Sequence, residues 1–476
     1  MRENCGVFGV SFSSNAADDI FYGLLALQHR GQESAGISVF NGTIKTHVGM
    51  GLVNNIFNGE KLSELKGTIG VGHVRYSTTG SSIIENAQPM EFESEKFKIT
   101  VGFNGNIPNY QMLTNGILKD HQLKTNCDAE GLGMIFLRAL EKTNDIMEAG
   151  KELLTTVPAA YSIVMLVYDK INKKPSVVAI RDRFGLRPLC IGERDGNYII
   201  ASESVALDVV GAKLISDVEP GSVEIISGGE RISKKLIESK RAHCMFEFVY
   251  FSRPDSIVEG RSVYDVRIKL GKNLIKGYNN HTDVIVPVPD TSRPAAEGIS
   301  EETGIPVAEG LMKNRYIGRT FIMPEQKSRE DAVRMKLNPV KSALKDRNVI
   351  LIDDSVVRGT TTKKLVKVVK NAEAKNVDVW ITCPPIISPC FYGIDMKSHS
   401  ELIAANNSVE EIREIMGADS LNYQTVEGLK DAIGIDGLCT GCLTGIYPTE
   451  EAQKLADKMK EQTGLMKKAF FEKKNE

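Results

Sequence analysis

Short β-like apolar runs recur through the first half of the chain, at 5–12, 67–74, 99–104 and 160–168, alternating with Gly and Asn turns. Such runs between turn residues predict strands. Between them, 18–29 and 127–143 repeat their apolar positions at helical spacing, which predicts helices laid with one face on a sheet. Strands at 177–181 and 198–201 continue the unit. Gly221-Ser222-Val223-Glu224-Ile225-Ile226, followed by Gly228-Gly229, reads as its closing strand and turn. The result is a layered α/β or α+β unit.

The second half has a different texture. Its strands, at 284–288, 349–352 and 377–382, are continuous apolar runs separated by helical stretches, the order of βαβ units around a parallel sheet. A charged stretch at 235–243 divides the halves, and 246–251 reads as a new apolar strand just beyond it. From about Thr449 the chain becomes a Lys- and Glu-rich helical tail. These shifts predict domains at 5–238 and 239–476.

Composition narrows the class without naming a chemistry. The 476 residues are 42% hydrophobic and 25% charged, with net charge −2, which fits two globular cores and argues against nucleic acid or an anionic membrane as partner. No apolar stretch approaches the roughly 20 residues a membrane span needs, and no signal-peptide segment follows the opening Met-Arg-Glu-Asn. A soluble, cytoplasmic chain is the expectation. Eight cysteines then read as reactive, metal-binding or buried rather than disulfide-bonded.

Cys5 opens the first strand. If the four residues before it are removed, the freed α-amino group, with a pKa of about 7.7–8, can take the thiol proton, so one residue supplies nucleophile and base. In the second half, Val349-Ile350-Leu351-Ile352 runs into Asp353-Asp354 and then the loop Ser355-Val356-Val357-Arg358-Gly359-Thr360-Thr361, which opens a helix. Backbone N–H groups and hydroxyls at such a helix start suit a phosphate. The two carboxylates suit the vicinal hydroxyls of a ribose and positive charge developing on its ring. A second strand-to-loop segment, Val286-Pro287-Val288-Pro289-Asp290-Thr291-Ser292-Arg293, can set oxygens beside a pyrophosphate and its Mg²⁺. The basic stretch from Lys313 through Tyr316 and Arg319, with Lys327, Arg329, Arg334 and Lys336 beyond, reads as a mobile lid over a polyanion. Cys244, Cys390, Cys439 and Cys442 form a separate set, for which zinc and an iron–sulfur cluster are equally good readings. Cys190 and Cys383 read as buried apolar residues.

The acidic loop resembles the phosphoribosyl pyrophosphate loop of type I phosphoribosyltransferases. Gln28-His29-Arg30-Gly31-Gln32-Glu33, Gly72-His73-Val74-Arg75-Tyr76-Ser77-Thr78, Gly102-Phe103-Asn104-Gly105-Asn106 and Asn126-Cys127-Asp128-Ala129-Glu130, taken with Cys5, resemble the class II glutamine amidotransferases, whose glutaminase domain has the N-terminal-nucleophile hydrolase (αββα) fold. Together, from Cys5 to about Glu450, the chain resembles the glutamine phosphoribosylpyrophosphate amidotransferase family, in its iron–sulfur and propeptide branch. The resemblance implies a parallel-sheet phosphoribosyltransferase domain after the glutaminase and the first step of purine synthesis as the reaction. It makes Cys5 the nucleophile, with Asn104 and the N–H of Gly105 as oxyanion hole, Arg75 and Asp128 as the glutamine carboxylate and ammonium partners, and Arg30 as an ordering group. It assigns phosphoribosyl pyrophosphate to residues 353–361, Lys313 and Tyr316, and Mg²⁺ to Thr291, Asp353 and Asp354.

The same resemblance tips the four cysteines toward a [4Fe–4S] cluster and makes residues 1–4 a propeptide removed by self-cleavage. It further implies feedback by purine nucleotides such as AMP and GMP and a homotetramer or dimer. Phe103 and Cys127 stand where the family often has His and Ser. A nucleotide-sensing protein that binds phosphoribosyl groups without turnover is the alternative of a different class, and it would need neither Cys5 nor the acid pair. An enzyme using free ammonia alone is another.

Overall fold

The computed structural model describes residues 5–76, 80–108, 110–275, 281–314 and 337–472. In the first half two antiparallel sheets face one another. The seven-stranded sheet runs Lys213–Asp217, Cys190–Arg194, Asn197–Ala201, Gly6–Val10, Ile69–Arg75, Ser34–Phe40, Ile44–Met50. The six-stranded sheet runs Glu230–Lys235, Ser222–Ser227, Lys174–Arg181, Ala160–Asp169, Phe97–Asn106, Met90–Glu93. Val7, Val71, Val164, Leu166, Val177 and Ile200 fill the space between them. The sheets approach closely enough that a Cβ at Gly9 would stand 2.7 Å from Val164 Cγ1. Helix Ala16–Ala26 covers the outer face of the first sheet, and Asp128–Thr143 with Ile146–Thr156 covers that of the second. Two sheets between two helical layers give the expected αββα sandwich.

The second half is built on a four-stranded parallel sheet in the order Val284–Pro287, Asn348–Asp353, Asn376–Ile381, Ser420–Tyr423. Both of its faces are buried, one against helix Arg293–Thr303 and Trp380's neighbours, the other against helix Thr360–Asn371. Burial on both faces explains why these strands are apolar throughout. Helix Glu450–Glu472 ends the described chain. Among the described residues no helix is long and apolar enough to cross a membrane.

Two elements differ from the sequence reading. The segment 246–251 is a π-helical turn, Glu247–Phe251, although its aromatic and β-branched residues favour a strand. Phe246, Phe248, Val249 and Phe251 are all buried, and Arg267 takes the carbonyls of Phe248 and Ser252 at 2.9 and 2.8 Å. A run that is apolar on every side has no periodicity to distinguish helix from strand, and here tertiary contacts decide. The strand at 222–227 does not close the first half either. Gly228-Gly229 turns it into a hairpin with Glu230–Lys235, an edge strand whose charged, exposed residues hide it in the sequence.

The halves are joined by buried polar contacts. Arg181 donates to Glu259 at 2.5 Å, and the Asn106 amide donates to Phe391 O at 2.8 Å. Arg187 also donates to the Tyr392 carbonyl.

Candidate active site

Cys5 lies at the edge of the sandwich, where Gly6–Val10 sits between two neighbouring strands of the larger sheet. Its thiol donates to Tyr76 O at 3.3 Å, and Tyr76 N–H approaches the sulfur at 3.4 Å. Burial pushes the thiol pKa up, opposed by the Tyr76 contact and the positive charge of Arg75. A neutral buried thiol needs a base at hand to become a nucleophile.

The structure brings Arg75 and Asp128 into the electrostatic surroundings of Cys5, from the end of strand Ile69–Arg75 and the first turn of helix Asp128–Thr143. Arg75 is buried and reaches Ser81 O at 3.1 Å and Glu33 at 3.6 Å. Asp128 accepts from Ile107 N–H at 3.1 Å, and burial raises its pKa to about 6. A carboxylate and a guanidinium held under the thiol suit the two charged ends of an amino acid.

Asn104 comes from the strand Phe97–Asn106, which packs across the sandwich on the Cys5 strand. Both amide atoms of Asn104 are buried without a hydrogen-bond partner among the described residues. A buried amide left unpaired costs free energy, so its N–H₂ group is suited to an incoming ligand oxygen. The backbone on which Asn104 sits is fixed on either side. Phe103 N–H donates to Gln88 Oε1 at 2.8 Å, and Phe103 O meets His73 Nε2 at 2.9 Å. Burial drives the His73 pKa down to about 3, so it stays neutral as this prop. Gly105 continues the strand opposite Tyr161.

The two departures from the family pattern have local consequences. Phe103 packs in the core beside Ile163 and Phe136. Cys127 precedes helix Asp128–Thr143 without capping it, and its buried thiol is pushed up to about 12. Residues 1–4, Ser77 and Thr78 lie outside the described residues, as do Tyr316 and the basic stretch from 315 to 336.

The second site is a contiguous loop. Strand Asn348–Asp353 delivers Asp353 and Asp354, and helix Thr360–Asn371 receives the chain after residues 355–359. Gly359 makes the turn at φ 71°, a left-handed conformation that a side chain would strain. Residues 353–362 with Tyr250 and Val288 line an open cavity of about 230 Å³. Asp353 is held well above the usual carboxylate range by burial and by the charge of Asp354. Thr291 Oγ1 and Ser355 Oγ donate to the two oxygens of Asp354, each at 2.5 Å. Thr291, Asp353 and Asp354 thus form an oxygen-rich corner of the kind Mg²⁺ takes. Arg358 pairs with Glu401 at 3.1 Å, and Lys313 with Asp290 at 2.7 Å. An adjoining cavity of about 390 Å³ shares Tyr250, Val288 and Asp354 and reaches His29 of the first half.

Cys244, Cys390, Cys439 and Cys442 line one small cavity together with Arg187. Cys244 and Cys439 sit opposite each other on a parallel two-stranded ribbon. Burial raises all four thiol pKa values. Among the described residues no three His, Cys, Asp or Glu side chains converge as they would on a single metal ion. Arg187 is 1% exposed; its Nη2 donates to Tyr392 O and its Nη1 lies 3.8 Å from Glu247, while Nε has no hydrogen-bond partner among the described residues. A buried guanidinium with an unbonded Nε against four thiols fits a group of negative charge distributed among them. Cys190 and Cys383 are buried, as expected.

Sequence reasoning missed four groups that the structure places at these sites. Glu203 and Glu247 hold Arg30, Arg267 lines the larger cavity, and Arg187 stands beside the four cysteines. A single acid inside the apolar run 245–251 is the signal that Glu247 left, because an isolated buried charge requires a partner.

Two family models match the chain, a glutamine amidotransferase domain over residues 58–219 and a phosphoribosyl transferase domain over 255–387. The amidophosphoribosyltransferase of Methanothermobacter thermautotrophicus is 46% identical over 457 residues, covering 94% of this chain and 95% of that protein. That of Methanocaldococcus jannaschii is also 46% identical, covering 94% and 98%. Among solved structures, the glutamine phosphoribosylpyrophosphate (PRPP) amidotransferase of B. subtilis complexed with ADP and GMP matches with TM-score 0.87 and 41% identity, over 94% of this chain and 98% of that one.

Proposed function

Because this chain belongs to the amidophosphoribosyltransferase family, we propose that its two sites act in series. Cys5 Sγ attacks the carboxamide carbon of glutamine, the C–N bond breaks, and ammonia leaves. The thioester is then hydrolysed to glutamate. Asn104 Nδ2 and the N–H of Gly105 receive the oxyanion, while Arg75 and Asp128 take the α-carboxylate and α-ammonium. Ammonia passes inside the protein to the second site, which matters because ammonium dominates at neutral pH and only free ammonia is nucleophilic. There nitrogen bonds to C1 of phosphoribosyl pyrophosphate as the C1–O bond breaks, giving 5-phosphoribosylamine and pyrophosphate. Residues 355–361 cradle the 5-phosphate, Asp353 and Asp354 face the ribose, and Lys313 and Tyr316 meet the pyrophosphate.

The observation that carries this reading is the orphaned amide of Asn104 on the strand packed against that of Cys5, in a chain that also presents an acid-tipped phosphate loop to an open cavity. Mg²⁺ held by Thr291, Asp353 and Asp354 would neutralise the departing pyrophosphate. A [4Fe–4S] cluster on Cys244, Cys390, Cys439 and Cys442 would lock the carboxyl-terminal tail to both halves. The finer parts of the reading are domains at 5–238 and 239–476, self-cleavage before Cys5, and a cytoplasmic homotetramer or dimer inhibited by purine nucleotides at the phosphoribosyl cavity. The B. subtilis relative was solved with ADP and GMP, which supports the last point.

The test uses protein purified without oxygen and supplied with glutamine and Mg²⁺. Glutamate and pyrophosphate released in equal amounts, and only when phosphoribosyl pyrophosphate is present, is the expected result. Glutamate without pyrophosphate would reduce the protein to a glutaminase. Neither product, with the sugar phosphate still bound, would favour the sensor alternative.

A further inference from the structure

Arg30 is 1% exposed, and its guanidinium is divided among three acceptors. Nε donates to the carbonyl of Cys5 at 3.1 Å. Nη1 donates to Glu203 at 2.5 Å and to Glu247 at 3.0 Å, and Nη2 donates to Glu247 at 2.8 Å. Glu203 follows strand Asn197–Ala201 in the first half. Glu247 comes from the other side of the expected boundary, on the π-helical turn Glu247–Phe251. Ser252 donates to Glu247 at 2.9 Å, and Arg187 lies 3.8 Å away, so the acid is fixed as firmly as the base it holds.

A guanidinium is planar, and two bonds to one carboxylate set its plane. Once that plane is set, the direction of the Nε–H bond is set too, and with it the orientation of the Cys5 carbonyl. Turning that carbonyl swings the thiol and the amino nitrogen of the same residue, the two groups that glutamine hydrolysis uses. We propose that Glu247 is a positioning residue for glutamine hydrolysis, reaching from the second half through Arg30 to hold the nucleophile in line. The inference rests on the reading of Cys5 as nucleophile. The first active site is then not complete within its own half. The turn that carries Glu247 also carries Tyr250, which lines the phosphoribosyl cavity.

The experiment compares Glu247→Gln and Glu247→Asp in the full-length protein, with glutamine or ammonium chloride as nitrogen source. In Glu247→Gln, kcat for glutamine should fall about tenfold or more, since displacement of a reacting group by about 1 Å can cost up to 10²-fold. KM for glutamine should stay within about twofold, because the substrate's charged ends meet Arg75 and Asp128 instead. Ammonia-dependent synthesis should persist, and Glu247→Asp, which keeps the charge, should recover part of the lost kcat. An unchanged kcat in Glu247→Gln overturns the proposal, and so does parallel loss of both activities, which would make Glu247 a purely structural tie. Cys5→Ala separates the two readings. Continued glutamine hydrolysis in that variant would remove the nucleophile itself, whereas an inactive Cys5→Ala beside a fully active Glu247→Gln would remove only the positioning role.

Discussion

The two sites of this chain are built in opposite ways. The thiol site is assembled from separate stretches of sequence, with Cys5, Arg30, Arg75, Asn104 and Asp128 delivered by different strands, a turn and a helix and almost wholly buried. The acid-tipped site is built mainly from one run, 353–362, which lines a cavity of about 230 Å³ with Tyr250 and Val288. A dispersed, buried site is pre-set by the core around it. A loop site instead depends on local backbone shape and stays open to a large, charged ligand. Damage should therefore spread differently: a change at the loop stops one reaction, while a change in the sandwich alters how well a preset geometry is kept.

The largest effect should come from the loop. Asp354→Asn replaces one of the two oxygens that accept from Thr291 and Ser355 with a donor and removes one charge of the acid pair, and should lower phosphoribosylamine synthesis by about 10²–10³-fold with either nitrogen source. The rate at which iodoacetamide alkylates Cys5, which requires no sugar phosphate, should be unchanged, and a matching fall there would erase the contrast between the sites. Next, Asn104→Ala should lower kcat for glutamine by about 10²-fold or more with little change in KM, as removal of a transition-state donor does. A rise in KM alone would instead make Asn104 a substrate contact.

A smaller effect is expected from pH. Asp128 has a pKa of about 6 in the free protein, and only its ionised form can hold an ammonium group. As pH falls through about 6 the carboxylate gains a proton, so kcat/KM for glutamine should decline toward a tenfold loss per pH unit. Asp128→Asn should be weak throughout and lack that limb. The smallest effect comes from a residue outside both sites. Ser408 caps helix Val409–Met416 in a reciprocal box with Glu411, and Ser408→Ala should cost about 1 kcal/mol, read as a lower thermal midpoint with both activities intact.

The same contrast governs what the sequence disclosed. The loop at 353–361 was legible because strand, acids, turn glycine and helix follow one another, so spacing along the chain is spacing in space. The interior strands of the sandwich were legible as short apolar runs between turn residues, as at 160–168 within Ala160–Asp169. The edge strand Glu230–Lys235 was not, because an edge carries charge on both faces. Arg30 could be named as an ordering residue from its motif, but its partners Glu203 and Glu247 lie 173 and 217 residues away, and nothing local announces them. Arg187 escaped notice for the same reason. Its meaning comes from four cysteines brought to it by the fold.

The grip on Arg30 also limits how freely the halves can be recombined. Glutaminase domains look like interchangeable modules, yet this one carries a buried cation whose counter-charge is split across the junction. Grafting it onto another acceptor domain would keep Glu203 and discard Glu247. Breaking such a buried pair typically costs about 3–5 kcal/mol. A working chimera would have to bring an acid of its own to that spot, or evolve a first half that no longer needs one.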